Sequence, residues 1–228
     1  MNPSPLKGVG VEVSQAMHKT EIKLPPPQLN GKLSLEKTIA KRRSVRRYRA
    51  EPLALSQLSQ ILWSAQGTTG GRMFRAAPSA GATYPLEIFV FVGKQGVIVS
   101  EAKQAPEELQ AGIYHYEIGS HSLGLHKSGE LRPDLARAAL DEEFIMQAPV
   151  DIIICALYYR TSHRYGRRGE RYVHMEVGHV GENIHLQAVA LGLATVEVGA
   201  FHDEEVREIL GVEEQLKPLY IMPLGKPL

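Results

Sequence analysis

The stretch Val150–Leu157, VDIIICAL, constrains the fold of this chain more than any other. An apolar run this long and rich in β-branched residues reads as a strand covered on both faces, so helices must lie on each side of its sheet. Leu86–Val92 (LEIFVFV) is a second such strand. Arg171–Leu191 supplies a long helix, because Val173, Val177, Val180, Ile184, Ala188 and Leu191 advance by threes and fours before Gly192. Shorter elements surround these three. Ser34 is the N-cap of a helix bearing Glu36, Leu35 and Ile39, and Ser56 opens a second helix with Leu58, Ile61, Leu62 and Ala65, closed by Gly67. Residues 67–75 read as a loop. Gly112–Glu117 and Ser122–His126 form a hairpin joined through Gly119, and a short helix follows Pro133. Thr195–Gly199 and Leu219–Met222 are strands, and Asp203 caps a helix stopped by Gly211. Helices and strands mix without a repeat, which predicts a single α+β domain over 34–228, a mixed sheet flanked by helices.

Residues 1–33 carry Leu24-Pro25-Pro26-Pro27 and read as an extended arm on the surface or reaching a second subunit, with a disordered tail as the alternative. The N-terminus has no apolar core of a signal peptide, and no run approaches the ~20 apolar residues of a membrane helix. A soluble, cytoplasmic protein without membrane contact is expected. With 26 Lys+Arg against 25 Asp+Glu the net charge is +1, which argues against nucleic acid as the partner. One cysteine rules out an internal disulfide, and Cys155 lies within the apolar strand as a small core residue.

Several signatures fail. There is no G-x-x-x-x-G-K-[ST] loop, Gly8-Val-Gly10 lacks a third glycine, and Ala77 spoils a G-x-S-x-G elbow. Glu176-x-x-His179 and Glu182-x-x-His185 have di-metal spacing, but pairs six residues apart face directions about 120° apart on a helix. No metal is expected.

Two stretches remain. Arg42-Arg43-Ser44-Val45-Arg46 follows the first helix, where cations offset the carbonyl dipole. Ala77-Pro78-Ser79-Ala80-Gly81-Ala82-Thr83-Tyr84-Pro85 then leads into a strand; its small residues let a flat ligand approach the backbone. Together with Gly192-Leu-Ala-Thr-Val-Glu-Val-Gly199 these motifs, in this order, resemble the nitroreductase family of FMN-dependent oxidoreductases from about residue 34 onward. The second motif is similar to the SagB-type branch, which includes dehydrogenases that oxidise azolines.

The resemblance implies a mainly antiparallel sheet and an intertwined homodimer, each flavin site built from the Arg42–Arg46 cluster of one chain and the Pro78–Gly81 loop of the other. It implies that Arg42, Arg43 and Ser44 hold the FMN phosphate and ribityl chain, as charge-assisted donors can. Arg46 matches the cation beside flavin N1 and O2, where it favours the reduced anion. Pro78, Ser79, Ala80 and Gly81 match a loop along the flavin, and Val198 and Gly199 backbone groups near N5 and O4. Many relatives carry a late basic residue on the phosphate; Lys226 is the candidate here. The activity implied is ping-pong hydride transfer from NAD(P)H through FMN to a small acceptor of nitroaromatic or quinone type, with Tyr84 as the candidate for a later proton transfer. Azoline oxidation on a modified peptide and non-catalytic flavin binding are the alternatives. A second basic stretch, His163–Arg171, reads as a solvated loop, or as a lid offering charge to a dinucleotide phosphate.

Overall fold

A computed structural model describes residues 21–71, 74–100 and 107–228; Gly8, Gly10 and most of the N-terminal arm lie outside them. The strands are β1 (Glu21–Lys23), β2 (Leu53–Ala54), β3 (Thr68–Gly70), β4 (Phe74–Arg75), β5 (Leu86–Val92), β6 (Val97–Ser100), β7 (Glu107–Glu108), β8 (Gly112–Glu117), β9 (Ser122–Ser128), β10 (Val150–Leu157), β11 (Ala194–Thr195) and β12 (Leu216–Gly225). The helices are α1 (Leu35–Lys41), α2 (Leu55–Gln66), α3 (Arg132–Ala138), α4 (Glu143–Gln147), α5 (Tyr159–Tyr165), α6 (Arg168–Ala190) and α7 (Asp203–Leu210), with one 3-10 turn at Ala80–Ala82.

A seven-stranded sheet, ordered β1-β9-β8-β5-β10-β12-β11, is antiparallel throughout. The parallel pair β2–β6 sits in a small side sheet, so the architecture is α+β and mainly antiparallel. β10 occupies the interior between β5 and β12. Its side chains alternate: Val150, Ile152, Ile154 and Ala156 join α2 and α6 in one core, while Ile153 and Cys155 meet α3, α4 and α7 in the other. Val150, Ile152, Ile153 and Ile154 are fully buried. At roughly 1.5–3 kcal/mol each, their burial alone rivals the net stability of a typical domain, which is why this strand dictates the layers. Burial also raises the Cys155 thiol above its ordinary range, in keeping with a core residue.

Regular structure begins earlier than Ser34, because β1 pairs with β9 at the sheet edge. The arm continues as a strap: the Pro25 carbonyl accepts from Ser59 Oγ at 2.5 Å and faces His121 Nε2 at 3.1 Å. These contacts also hold the β8–β9 turn, whose left-handed residue is His121 (φ 49°) and not Gly119. Ser34 caps α1, accepting from the Lys37 N–H, but α2 opens at Leu55, where Gln57 Oε1 takes the Ala54 N–H. Asp203 is the first residue of α7, not its cap, and Gly211 ends that helix in the left-handed conformation.

Other differences have physical causes. Residues 68–75, read as a loop, hold the ribbon β3–β4. The expected strand 195–199 shrinks to β11 plus a single bridge, Val198 to Ile221. β12 runs for ten residues through Pro218 and Pro223, which hid it in the sequence. Only two-residue β11 lies beyond it, and a strand with an open side tolerates proline. The stretch His163–Arg171 holds the end of α5 and the start of α6, separated by Gly166 and Arg167. None of the described helices is long and apolar enough to cross a membrane.

Candidate functional site

α1 stops at Lys41. Arg42 turns extended, and the chain is then captured from two directions: the Val45 N–H donates to the Thr195 carbonyl at 3.1 Å, and His185 Nε2 of α6 donates to the Arg43 carbonyl at 3.1 Å. This fixes the backbone of Arg42–Arg46, with Val45 packed against the second core and Arg42 half-buried. Ser44 and Arg46 are exposed, with the Arg46 guanidinium 5.9 Å from the Phe144 ring centre. Among the described residues the Arg43 side chain bonds only the carbonyls of Ala40 and Arg42. Among the described residues no carboxylate forms a salt bridge with Arg42, Arg43, Arg46 or Arg47.

The C-terminus is laced to the same segment. Tyr48 bridges Pro227, the Arg49 N–H donates to the Lys226 carbonyl at 2.9 Å, and the Leu228 N–H to the Arg47 carbonyl at 3.2 Å. Lys226 therefore stands beside the arginines, its ammonium 2.6 Å from Glu51. Val198 spends both its N–H and C=O on Ile221, at 2.9 and 3.0 Å; the neighbouring Gly199 is exposed beside the Tyr220 ring.

The Pro78–Gly81 loop lies elsewhere, on α5 and the first half of α6. Ser79 Oγ accepts the Tyr84 N–H at 2.9 Å and bonds Glu176, a carboxyl only 3% exposed whose pKa burial raises. Arg164 donates to the Gly81 carbonyl and Thr83 shares a 2.8 Å bond with Thr161. Gly81, Ala82 and Tyr84 all have left-handed backbone, at φ 60°, 53° and 46°. For alanine and tyrosine this is strained, and such strain concentrates where a loop serves a ligand.

Tyr84 borders a cleft of about 390 Å³ with Arg75, Glu87, His115, Glu117 and Arg160. The Arg75 guanidinium stacks 4.1 Å from the Tyr84 ring centre, and Arg160 donates to the Tyr84 carbonyl at 3.0 Å. Glu87 joins Arg160 at 2.6 Å to His115 at 2.9 Å, and Glu117 holds the other imidazole nitrogen at 3.0 Å. Burial alone would lower the His115 pKa; its bonds to Glu117 and Glu87 override that and push it up to about 9. Glu87 is raised by burial but falls below its usual range through His115 and Arg160. Sequence reasoning missed this network, whose members come from three separate elements, β5, β8 and α5, and share no motif.

The structure thus sets the Arg42–Arg46 segment, through Arg43, on the C-terminal half of α6 with Glu197 and Val198 beside it, and sets Pro78–Gly81 against the N-terminal half; Lys226 lies beside Arg49. Glu176 and His185, their respective contacts on α6, are nine residues apart, about 13 Å along the helix. Of the two Glu-x-x-His pairs, Glu182 and His185 do approach each other and Glu197, with ligand atoms within 4.8 Å. Both His185 nitrogens, however, already make hydrogen bonds, to Glu197 and to Arg43.

The profile of the nitroreductase family matches residues 39–226. The chain belongs to that family. It is 48% identical over 208 residues to a candidate nitroreductase of Methanocaldococcus jannaschii, covering 91% of this chain and 97% of that one. A more distant relative is the microcin B17-processing protein McbC of Escherichia coli, 26% identical over 68% of this chain and 55% of that protein. Among solved structures, a candidate nitroreductase of Ralstonia eutropha superposes with a TM-score of 0.75 over 100% of this chain and 99% of that one, at 24% identity. The NADPH:FMN oxidoreductase of Vibrio harveyi, solved with NAD+, gives 0.58 over 85% and 68%, at 20% identity. Family and fold together make this chain a flavin-type oxidoreductase.

Proposed function

We propose that the protein is an FMN-dependent NAD(P)H oxidoreductase that reduces a small organic acceptor, working as a homodimer with each flavin site shared by two chains. The observation that carries this reading is the row of arginines at Arg42–Arg47, with which no carboxylate among the described residues forms a salt bridge, in a segment laced to the chain end that carries Lys226. A structural cluster of cations draws its own counter-ions; one kept open suits an external anion such as a terminal phosphate. The donor set fits FMN. Arg42, Arg43 and Ser44 would grip the phosphate, Lys226 would add charge if it let go of Glu51, and Arg46 would supply a fixed cation to the ring. When bound, FMN supplies the hydride chemistry. The protein's part is to orient both reactants and to place Tyr84, its ring stacked on Arg75, for proton transfer to the acceptor.

The separation of the Pro78–Gly81 loop from the arginines along α6 supports sites completed across a two-fold axis, the commonest symmetry of soluble oligomers. Two experiments test the reading. Heat release should yield about one FMN per chain, and recovery of FAD alone, or no binding of added FMN, would end it. Mixing a chain carrying Arg42→Ala and Arg46→Ala with one carrying Ser79→Ala and Gly81→Val should restore part of the activity that each lacks. No restoration in verified mixed dimers would mean that each chain builds its own site. NAD(P)H consumption separates an oxidoreductase from a flavin-storing protein, and an azoline peptide assay separates acceptor reduction from azoline oxidation.

A further inference from the structure

His185 is fully buried, yet both its ring nitrogens are engaged: Nδ1 lies 2.8 Å from Glu197 Oε1 and Nε2 3.1 Å from the Arg43 carbonyl. Neither acceptor carries a proton to give, so only the doubly protonated ring donates to both. The two acceptors belong to different parts of the candidate site. Arg43 sits inside the arginine segment, and Glu197 immediately precedes Val198 and Gly199.

We propose that His185 is a positioning residue: as an imidazolium shared between the Arg43 carbonyl and Glu197, it locks the Arg42–Arg46 segment against α6 and makes FMN binding weaken as the pH rises. This rests on the FMN reading above. The charged groups facing the ring are Glu197 after β11, Glu182 on α6 and Arg42 at the end of α1. Burial and Arg42 disfavour the charged ring; Glu197 and the Arg43 carbonyl outweigh them and hold the pKa above its ordinary value. When the ring loses its proton, one of the two bonds must go. Either the arginine segment loses its tie to α6, or Glu197 is released and stands as an uncompensated carboxylate near a phosphate site. Both outcomes disfavour an anion. No contact between His185 and the flavin is required.

The test is FMN affinity, measured by quenching of flavin fluorescence between pH 7 and pH 9, where a phosphate monoester is already mostly dianionic. Wild-type affinity should fall about fivefold across this range, the difference between a charge-assisted and a neutral hydrogen bond. His185→Gln, neutral at every pH, should be flat across it and match the wild type at pH 9. Glu197→Gln, whose amide can turn its NH2 to the neutral ring so that deprotonation breaks no bond and frees no carboxylate, should flatten the fall, and it carries the test if His185→Gln does not fold. A wild type that binds FMN with pH-independent affinity, a His185→Gln protein as tight as wild type at pH 7, or an undiminished fall in Glu197→Gln would overturn the proposal alone. A wild type that binds no FMN at any pH would overturn the proposal and the FMN reading together.

Discussion

The arginines after α1 and the charges around Tyr84 are both clusters of ionic side chains, yet they are built in opposite ways. In the cleft, Arg160, His115, Glu87 and Glu117 neutralise one another at hydrogen-bond distance. After α1, no salt bridge with Arg42, Arg43, Arg46 or Arg47 forms among the described residues. A network that satisfies itself holds the fold in place; a set of cations held by its backbone and outside any salt bridge is what the proposed reading needs to receive an anion. The difference is a property of partners and not of composition, since both regions are rich in arginine.

The largest effect that sharpens this contrast should come from Glu87. Replacing it with Gln strands Arg160 and His115, and because those groups are partly exposed the cost should be about 2 kcal/mol, below the range for fully buried pairs. Chemical denaturation measures it. A Glu87→Gln protein as stable as the wild type would mean that the cleft is not a structural network.

The same network predicts a pH signature. The folded-state pKa of His115, about 9, lies above the ordinary value of 6.5. Its stabilising contribution is therefore complete below about pH 6.5 and is lost as the pH rises from there through 9. The wild type should lose on the order of 1–2 kcal/mol over that window. His115→Gln should lose less. Equal slopes for the two proteins would place the proton elsewhere.

The smallest effect belongs to the other region. Arg46→Ala with Arg47→Ala should change the stability of the flavin-free protein by no more than about 0.5 kcal/mol, as exposed side chains that form no salt bridge among the described residues do. A loss of 2 kcal/mol would show the arginines to be structural, and the contrast would collapse.

The contrast also explains what the sequence could reveal. The layers were legible because burial on both faces leaves an unbroken apolar run, as in Val150–Leu157, and one helical face leaves a periodic one, as in α6. The arginine cluster was legible because its residues are contiguous and their backbone alone is held by the fold. The Glu87–His115–Arg160 network was not: Glu87 alternates into a strand, His115 into another and Arg160 sits on a helix missed altogether, so nothing local joins them. β12 was shortened by its prolines, harmless beside an open edge that only the tertiary structure creates. His185 looked like half of a metal pair, and its buried role emerged only when the fold set Arg43 and Glu197 against it.

The central claim is that the open arginines read a phosphate, and a ligand-by-residue cycle tests it most directly. FMN and riboflavin differ only in that phosphate. Titrating both into the wild type and into the Arg42→Ala, Arg43→Ala protein gives four affinities at a fixed pH of 7. Two charge-assisted contacts at roughly 1.5–3 kcal/mol each predict that the wild type prefers FMN to riboflavin by more than about a hundredfold. In the double variant that preference should shrink to less than about tenfold, while riboflavin binding stays nearly unchanged. A preference for FMN that survives the loss of both arginines would place the phosphate elsewhere and contradict the account.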